Sequence, residues 1–331
     1  MRAAVLERVG EPLHIRELPI PKPEANEVLV QIKATGVCFT DIKVCHGLAA
    51  KTPLIPGHEA VGIVAKVGEG VQTVREGERV AVHSGFPCGQ CPQCQGPGHA
   101  ACTRPFAAFA GIARDGGYAD FMIAPAEQVF VLPDSLSFID AAPLLCAGLT
   151  TFSAFRNAEL RAGQRVAVVG IGGLGHLAVS LGAALGAHVY AVTSSRNKIA
   201  DAQERGAVFT GSTDDVAKRL AHDGGAHLVF NTSESLTPLT SLLSCLTTGA
   251  AIVLAAGTGE FLPVTPDQFI AQQLRVSGTF YGSKSDLSEL LALAVRNRIT
   301  PQTESYRLDE INSIHQRLRD NAIRYRAVVV P

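Results

Sequence analysis

No surplus of either charge marks this sequence of 331 residues, in which 29 lysines and arginines meet 30 aspartates and glutamates. Without a basic patch or a like-charged tail, no nucleic-acid partner is expected. No uninterrupted apolar run approaches the roughly 20 residues of a membrane-spanning helix, so no membrane partner is expected either. The opening Met1-Arg2-Ala3-Ala4-Val5-Leu6 runs straight into Glu7 and Arg8 and lacks the form of a signal peptide. Internal repeats and low-complexity segments are missing. Tryptophan is absent too, which bears on no function.

What is present suits a well-packed soluble protein: 47% hydrophobic and 18% charged residues. The length is generous for one core and suits two domains. Eight cysteines and no secretory segment fit a reducing cytoplasm. Four of them, Cys88, Cys91, Cys94 and Cys102, stand at C-x2-C-x2-C-x7-C in a stretch rich in glycine and proline. Thiolates so spaced can converge on one centre at about 2.3 Å and close a tetrahedral zinc site. Disulfides are the competing reading, and compactness without secretion argues against them. A site closed by four thiolates is structural, so chemistry must lie elsewhere.

The first part of the chain reads as short strands between turns, at 28–32, 61–64 and 79–82, punctuated by Pro21, Pro23, Pro53, Pro56 and many glycines. From Arg165 apolar strands alternate with helices: strands at 165–169, 188–192, 227–230, 250–255 and 275–280, helices at 176–185 and 196–205. That alternation specifies an α/β, doubly wound parallel sheet. Beyond Pro301 the tail reads as polar turns, a helix over 308–321 and a last strand over 327–330.

Gly170-Ile171-Gly172-Gly173-Leu174-Gly175 follows the first apolar strand and opens a helix. In that context the glycines permit a tight turn, approach of a pyrophosphate to the backbone, and close packing of helix on strand. At the end of the second strand a carboxylate would bind the ribose 2′-hydroxyl of NAD. Here stand Thr193, Ser194, Ser195 and Arg196, with Lys198 beyond. Hydroxyls and cations suit a 2′-phosphate, so NADP is favoured and NAD stays possible; Ser194 or Ser195 could equally cap the helix.

Cys38, His58 and Cys146 offer two thiolates and one imidazole, which leaves a fourth position for water or substrate oxygen, as in a catalytic zinc site. Gly57-His58-Glu59, Gly62, Gly68 and Val71 reproduce the spacing G-H-E-x2-G-x5-G-x2-V. Together with the four-cysteine lobe, Gly116-Gly117-Tyr118, Cys146 and the glycine loop, in that order, this pattern resembles the zinc-dependent medium-chain alcohol dehydrogenases over essentially the whole length.

The resemblance implies a GroES-like, mostly β catalytic domain over 1–145 with the structural zinc lobe at about 88–102. It implies a Rossmann domain over 146–290 and a segment, 291–331, returning to the catalytic domain. Two zinc ions per chain follow, one held by Cys38, His58 and Cys146. Glu59 resembles the glutamate that can approach the metal, Asp41 the carboxylate that orients His58, and Thr40 the hydroxyl that accepts the alcohol proton. Thr150 falls where a threonine meets the nicotinamide, and Arg326 where an arginine reaches the cofactor phosphates. The implied reaction is hydride transfer between NAD(P) and an alcohol or carbonyl carbon. The implied assembly is a homodimer or homotetramer through the edge strand at 275–281.

Two positions depart from the pattern. Phe39 replaces the His or Arg that contacts the pyrophosphate, and could wall the substrate cleft instead. Lys43 replaces the histidine that relays the proton, a role His46 or water could take. The lining Phe39, Phe86, Phe106 and Phe109 is apolar, which favours a small apolar or aromatic alcohol or carbonyl over a polyol or amino alcohol. A non-catalytic NADPH-binding protein would be marked by a lost zinc ligand, and none is lost.

Overall fold

The structure, a computed structural model, describes residues 1–86, 91–92, 108–257 and 259–331. Cys88, Cys94 and Cys102 of the cysteine cluster, and Phe106, lie outside the described residues. Cys91 is described and buried.

The chain divides into two compact units, Met1–Leu149 with Ser283–Pro331, and Thr150–Gly282. The inserted unit therefore starts at Thr150 rather than 146 and ends at Gly282 rather than 290. Packing explains the later start and earlier end. The helix Lys284–Asn297 buries Leu290, and a Cβ on Gly148 would stand 3.1 Å from Leu144 and 3.4 Å from Leu290. Leu290 and the turn around Cys146 thus share one core.

In the first unit a seven-stranded sheet runs in the order Thr303–Arg307, Arg326–Val330, Glu27–Val37, Glu59–Val67, Arg79–Val82, Val129–Val131, and Phe121–Pro125 also pairs with Glu27–Val37. All pairs are antiparallel except the first. The valines and isoleucines of these strands, with Val28, Val30, Ile32, Val64, Val80 and Val82 buried together, form the core. The last strand closes on Glu27–Val37 with Val328 opposite Gly36, which returns the tail to this unit. The tail holds one strand that its composition hides. Thr303–Arg307, T-E-S-Y-R, has no apolar alternation and is held by its apolar neighbour Arg326–Val330. The helix at 308–321 is a 3-10 turn, Leu308–Glu310, followed by Ile311–Arg319.

The second unit is a six-stranded parallel sheet in the order Ala207–Gly211, His188–Val192, Arg165–Val169, Ala226–Asn231, Leu246–Leu254, Arg275–Gly278. Ala207–Gly211 and the helix Thr213–His222, capped by Ser212 accepting from the Asp215 N–H at 3.3 Å, add to the elements read from sequence. Strand order reverses between Arg165–Val169 and Ala226–Asn231, the switch point outside which such sheets bind ligands. The glycine loop leaves the sheet there. Among the described residues no single helix is long and apolar enough to cross a membrane.

Candidate active site

Cys38 leaves the strand Glu27–Val37 at the N-cap of the short helix Phe39–Lys43. Asp41 folds its carboxylate back on this turn, and Oδ2 accepts the Cys38 N–H at 2.9 Å. His58 and Glu59 stand at the start of the adjacent antiparallel strand, with Glu59 opposite Gly36. Cys146 follows the 3-10 turn Ala142–Leu145. These elements gather one donor atom from each of Cys38, His58, Glu59 and Cys146 within 4.8 Å of one another.

The geometry fits a tetrahedral metal. The two sulfurs lie 3.9 Å apart, and Zn–S bonds of about 2.3 Å would set them roughly 3.8 Å apart. His58 Nδ1 donates to Asp41 Oδ1 at 2.8 Å, which leaves Nε2 for the metal. The Tyr118 hydroxyl donates to Asp41 Oδ2 at 2.7 Å, and the Ser84 hydroxyl to the His58 carbonyl at 2.7 Å. Phe109 sets its ring against the imidazole, centroids 5.9 Å apart.

Glu59 is fully buried, with Oε1 paired to the Arg326 guanidinium. Its Oε2 has no hydrogen-bond partner among the described residues. A Cβ on Gly36 would fall 1.8 Å from that oxygen, so only glycine at 36 leaves the carboxylate its place. A buried carboxylate oxygen beside two thiols and an imidazole nitrogen is a donor set suited to zinc.

The electrostatics follow from burial. Desolvation opposes charge on His58, yet Asp41 and Cys38 hold its pKa well above the usual imidazole value. Burial pushes Glu59 up to about 7 against the pull of Arg326. The hydrogen bond from Cys146 holds Cys38 below the ordinary thiol range while burial opposes it, and the same bond raises Cys146.

Thr40 is half-buried on the helix that Cys38 begins, and Phe39 beside it is 41% exposed. The Lys43 ammonium lies 5.9 Å over the Phe39 ring centroid. His46 is exposed, and its Nδ1 donates to the Ile42 carbonyl at 2.8 Å. Arg326, expected at the cofactor phosphates, is buried and paired with Glu59. Four contacts of the site have no local pattern that singles them out: the Tyr118 hydroxyl on Asp41, the Ser84 hydroxyl on His58, the clearance at Gly36, and the partner of Arg326. Only Tyr118 gives a hint, through its place after Gly116-Gly117.

The second unit carries the glycine loop. Gly170 has φ +85°, a left-handed conformation that disfavours other residues. A Cβ on Gly175 would meet the Gly170 carbonyl oxygen at 1.9 Å, while one on Gly172 would meet nothing within 4 Å. The loop is thus packed tightly at its base and open over Gly172, ahead of the helix Gly175–Ala184. Gly173 and Leu174 complete the turn, and the Thr232 hydroxyl braces it by donating to the Gly170 carbonyl at 2.6 Å. At the end of His188–Val192 the Ser195 N–H donates to Thr193 Oγ1 at 3.2 Å. Ser195 is the N-cap of Arg196–Glu204 but makes no side-chain capping bond, and Ser194 is exposed. Thr150 is buried in the helix Ala147–Asn157.

Residues 24–134 match the family model of the alcohol dehydrogenase GroES-like domain, and residues 173–296 that of zinc-binding dehydrogenase. An alcohol dehydrogenase of Geobacillus stearothermophilus is 36% identical, covering 99% of this chain and 98% of its own. The NADP-dependent alcohol dehydrogenase C of Mycobacterium bovis is 33% identical over 96% of this chain and 95% of its own. The crystal structure of the alcohol dehydrogenase from Aeropyrum pernix superposes with a TM-score of 0.88 at 30% identity, covering all of both chains. GroES-like and Rossmann-type units with a thiolate–imidazole donor set define a zinc-type medium-chain alcohol dehydrogenase, and the chain belongs to that family. It is an NAD(P)-dependent zinc alcohol dehydrogenase acting on a small-molecule alcohol.

Proposed function

We propose that the enzyme interconverts a small apolar or aromatic alcohol and its carbonyl with NADP(H) as preferred cofactor, in the cytoplasm, as a homodimer or homotetramer carrying two zinc ions per chain. The observation that carries this reading is the gathering of Cys38, His58, Glu59 and Cys146 within 4.8 Å, with His58 turned by Asp41. Cys38, His58 and Cys146 hold the catalytic metal, and Glu59 stands by with its unpartnered oxygen. When bound, zinc supplies a Lewis acid for the substrate oxygen and the nicotinamide supplies or accepts the hydride. Thr40 takes the alcohol proton and passes it to solvent. Asp41 keeps His58 in the tautomer that ligates. Thr150 receives the nicotinamide, and the glycine loop receives the pyrophosphate.

The preference for NADP is supported by the lack of an acid beyond Val192, by the uncommitted Ser194 and Ser195, and by the cofactor named for the mycobacterial relative. Buried Phe86 and Phe109 and half-exposed Phe39 support an apolar substrate. Arg275–Gly278 is an edge strand, and Ile270 and Phe280 nearby in sequence are 76% and 51% exposed, which supports assembly through that edge. Oxidation of NADPH, followed by absorbance with a panel of aromatic, aliphatic and polyhydroxylated carbonyls, tests the whole. Turnover confined to the polyhydroxylated compounds, or to none, overturns it.

A further inference from the structure

The tyrosine that follows the glycine pair has no role in the chemistry set out so far, yet it is fully buried and points its hydroxyl at the carboxylate behind the metal ligand. Asp41, itself 0% exposed, receives three donors: His58 Nδ1 on Oδ1 at 2.8 Å, and the Cys38 N–H at 2.9 Å and the Tyr118 hydroxyl at 2.7 Å on Oδ2. The carboxylate therefore ties two metal ligands together, one by its side chain and one by its backbone. Tyr118 fixes the oxygen that His58 does not use.

Gly57 leaves room for this ring, and Gly116 leaves room for the Gly57 backbone. Gly57, immediately before His58, has φ +92°, and a Cβ on it would stand 2.5 Å from Tyr118 Cδ1. A Cβ on Gly116 would stand 2.0 Å from the Gly57 carbonyl oxygen. The Tyr118 backbone is pinned as well, its N–H donating to the Pro56 carbonyl at 3.0 Å and its carbonyl accepting from Ala4 at 2.8 Å. The segments Gly57-His58-Glu59 and Gly116-Gly117-Tyr118 are thus one interlocked piece. From this seat the hydroxyl reaches Asp41.

We propose that Tyr118 is a positioning residue for the metal ligand His58, acting through Asp41: its hydroxyl locks the carboxylate so that Oδ1 stays aimed at Nδ1 and Nε2 stays aimed at the metal. The proposal rests on the assignment of Cys38, His58 and Cys146 as ligands. Removal of an outer hydrogen bond of this kind weakens metal binding by about 10–100-fold.

Cobalt(II)-substituted enzyme provides a readout independent of turnover. The thiolate-to-cobalt absorption of the catalytic site is obtained by subtracting the spectrum of Cys146→Ser protein, and its decay in excess chelator gives the rate of metal loss. Tyr118→Phe keeps the ring in its seat and removes only the donor. It should shift the absorption and lose cobalt about tenfold faster or more, with an unchanged melting temperature of the chelator-free protein. The same change placed on Asp41→Asn should add nothing. If Tyr118→Phe does not accumulate, 4-aminophenylalanine and 4-fluorophenylalanine at position 118, of nearly equal size, separate donor from shape: the first should retain cobalt and the second lose it. Cobalt loss unchanged in Tyr118→Phe, or equally accelerated with and without Asp41, overturns the proposal. Identical spectra for wild-type and Cys146→Ser protein would instead remove the ligand assignment, and this proposal with it.

Discussion

Arg326 and Glu59, 267 positions apart in sequence, form an ion pair in which neither side chain is more than 5% exposed. The pair joins the last strand to the start of Glu59–Val67 and fixes the carboxylate whose second oxygen faces the metal donors. Removing one partner of a buried pair leaves an uncompensated charge and costs about 3–5 kcal/mol. Arg326→Met should lose about that much in urea denaturation, while the KM for NADPH stays near the wild-type value. An unchanged stability with a raised KM for the cofactor would mean that Arg326 serves the phosphates after all.

The two sets of cysteines should separate cleanly in their effects. Cys146→Ser leaves a donor set short of one thiolate, so it should abolish turnover and halve the bound zinc while the fold melts normally. Cys91→Ser should instead lower the melting temperature, because a structural zinc site contributes folding energy directly. Metal analysis of the pure wild-type protein at one equivalent or none would defeat the expectation of two zinc ions.

His315 makes the fold sensitive to acid. It is buried on the helix Ile311–Arg319, its ring 6.1 Å from that of Tyr118, and its Nε2 has no partner among the described residues. Burial lowers its pKa from 6.5 to about 4, with the Asp41 charge opposing and Arg319 and His46 adding. The unfolded chain therefore binds a proton that the folded chain refuses between these values. Stability is complete above pH 6.5 and falls as pH drops towards 4, by an amount on the order of 3 kcal/mol from this group. His315→Phe should flatten that part of the profile of unfolding free energy against pH; a profile unchanged by the substitution would count against a neutral buried imidazole.

Cofactor choice turns on Thr193. With no acid at the end of His188–Val192, NADPH should show the higher kcat/KM. Thr193→Asp should then favour NADH by repelling the 2′-phosphate. Steady-state kinetics with both cofactors decide it, and a clear preference of the unmodified enzyme for NADH sinks the idea.

How far each feature could be read depended on whether its cause was local. Arg165–Val169 and the glycines after it announce themselves, because an apolar run and a sharp turn are properties of neighbouring residues. Thr303–Arg307 does not, since its polar residues become a strand only through pairing with Arg326–Val330. Cys38, His58 and Cys146 were singled out by their types and spacing, and the structure gathers them with Glu59. The site's supporting contacts were not: the Ser84 hydroxyl, the Tyr118 hydroxyl and the Arg326 guanidinium reach their partners over 26, 77 and 267 positions. No residue type foretells such a pairing. The inserted unit ended at Gly282 rather than 290 for the same reason, because the leucines of Lys284–Asn297 choose their core by shape.

The route of the substrate proton turns on the residues of Phe39–Lys43 and the turn that follows. Thr40 follows Cys38 on the helix Phe39–Lys43 and is half-buried, so its hydroxyl is the one we assign to the alcohol proton. Thr40→Ala should cut alcohol oxidation severely, and Thr40→Ser should restore most of it by returning the hydroxyl. Lys43 is exposed, with its ammonium over the Phe39 ring. Lys43→Ala should therefore leave the rate nearly unchanged. His46 is exposed and anchored through Nδ1 to the Ile42 carbonyl, which leaves Nε2 to exchange protons with water. If it carries the relay, His46→Ala should slow oxidation. Oxidation rates for these variants between pH 6 and 9 distinguish the routes. Full activity in Thr40→Ala removes the assignment of its hydroxyl, and a large loss in Lys43→Ala transfers the role to the lysine.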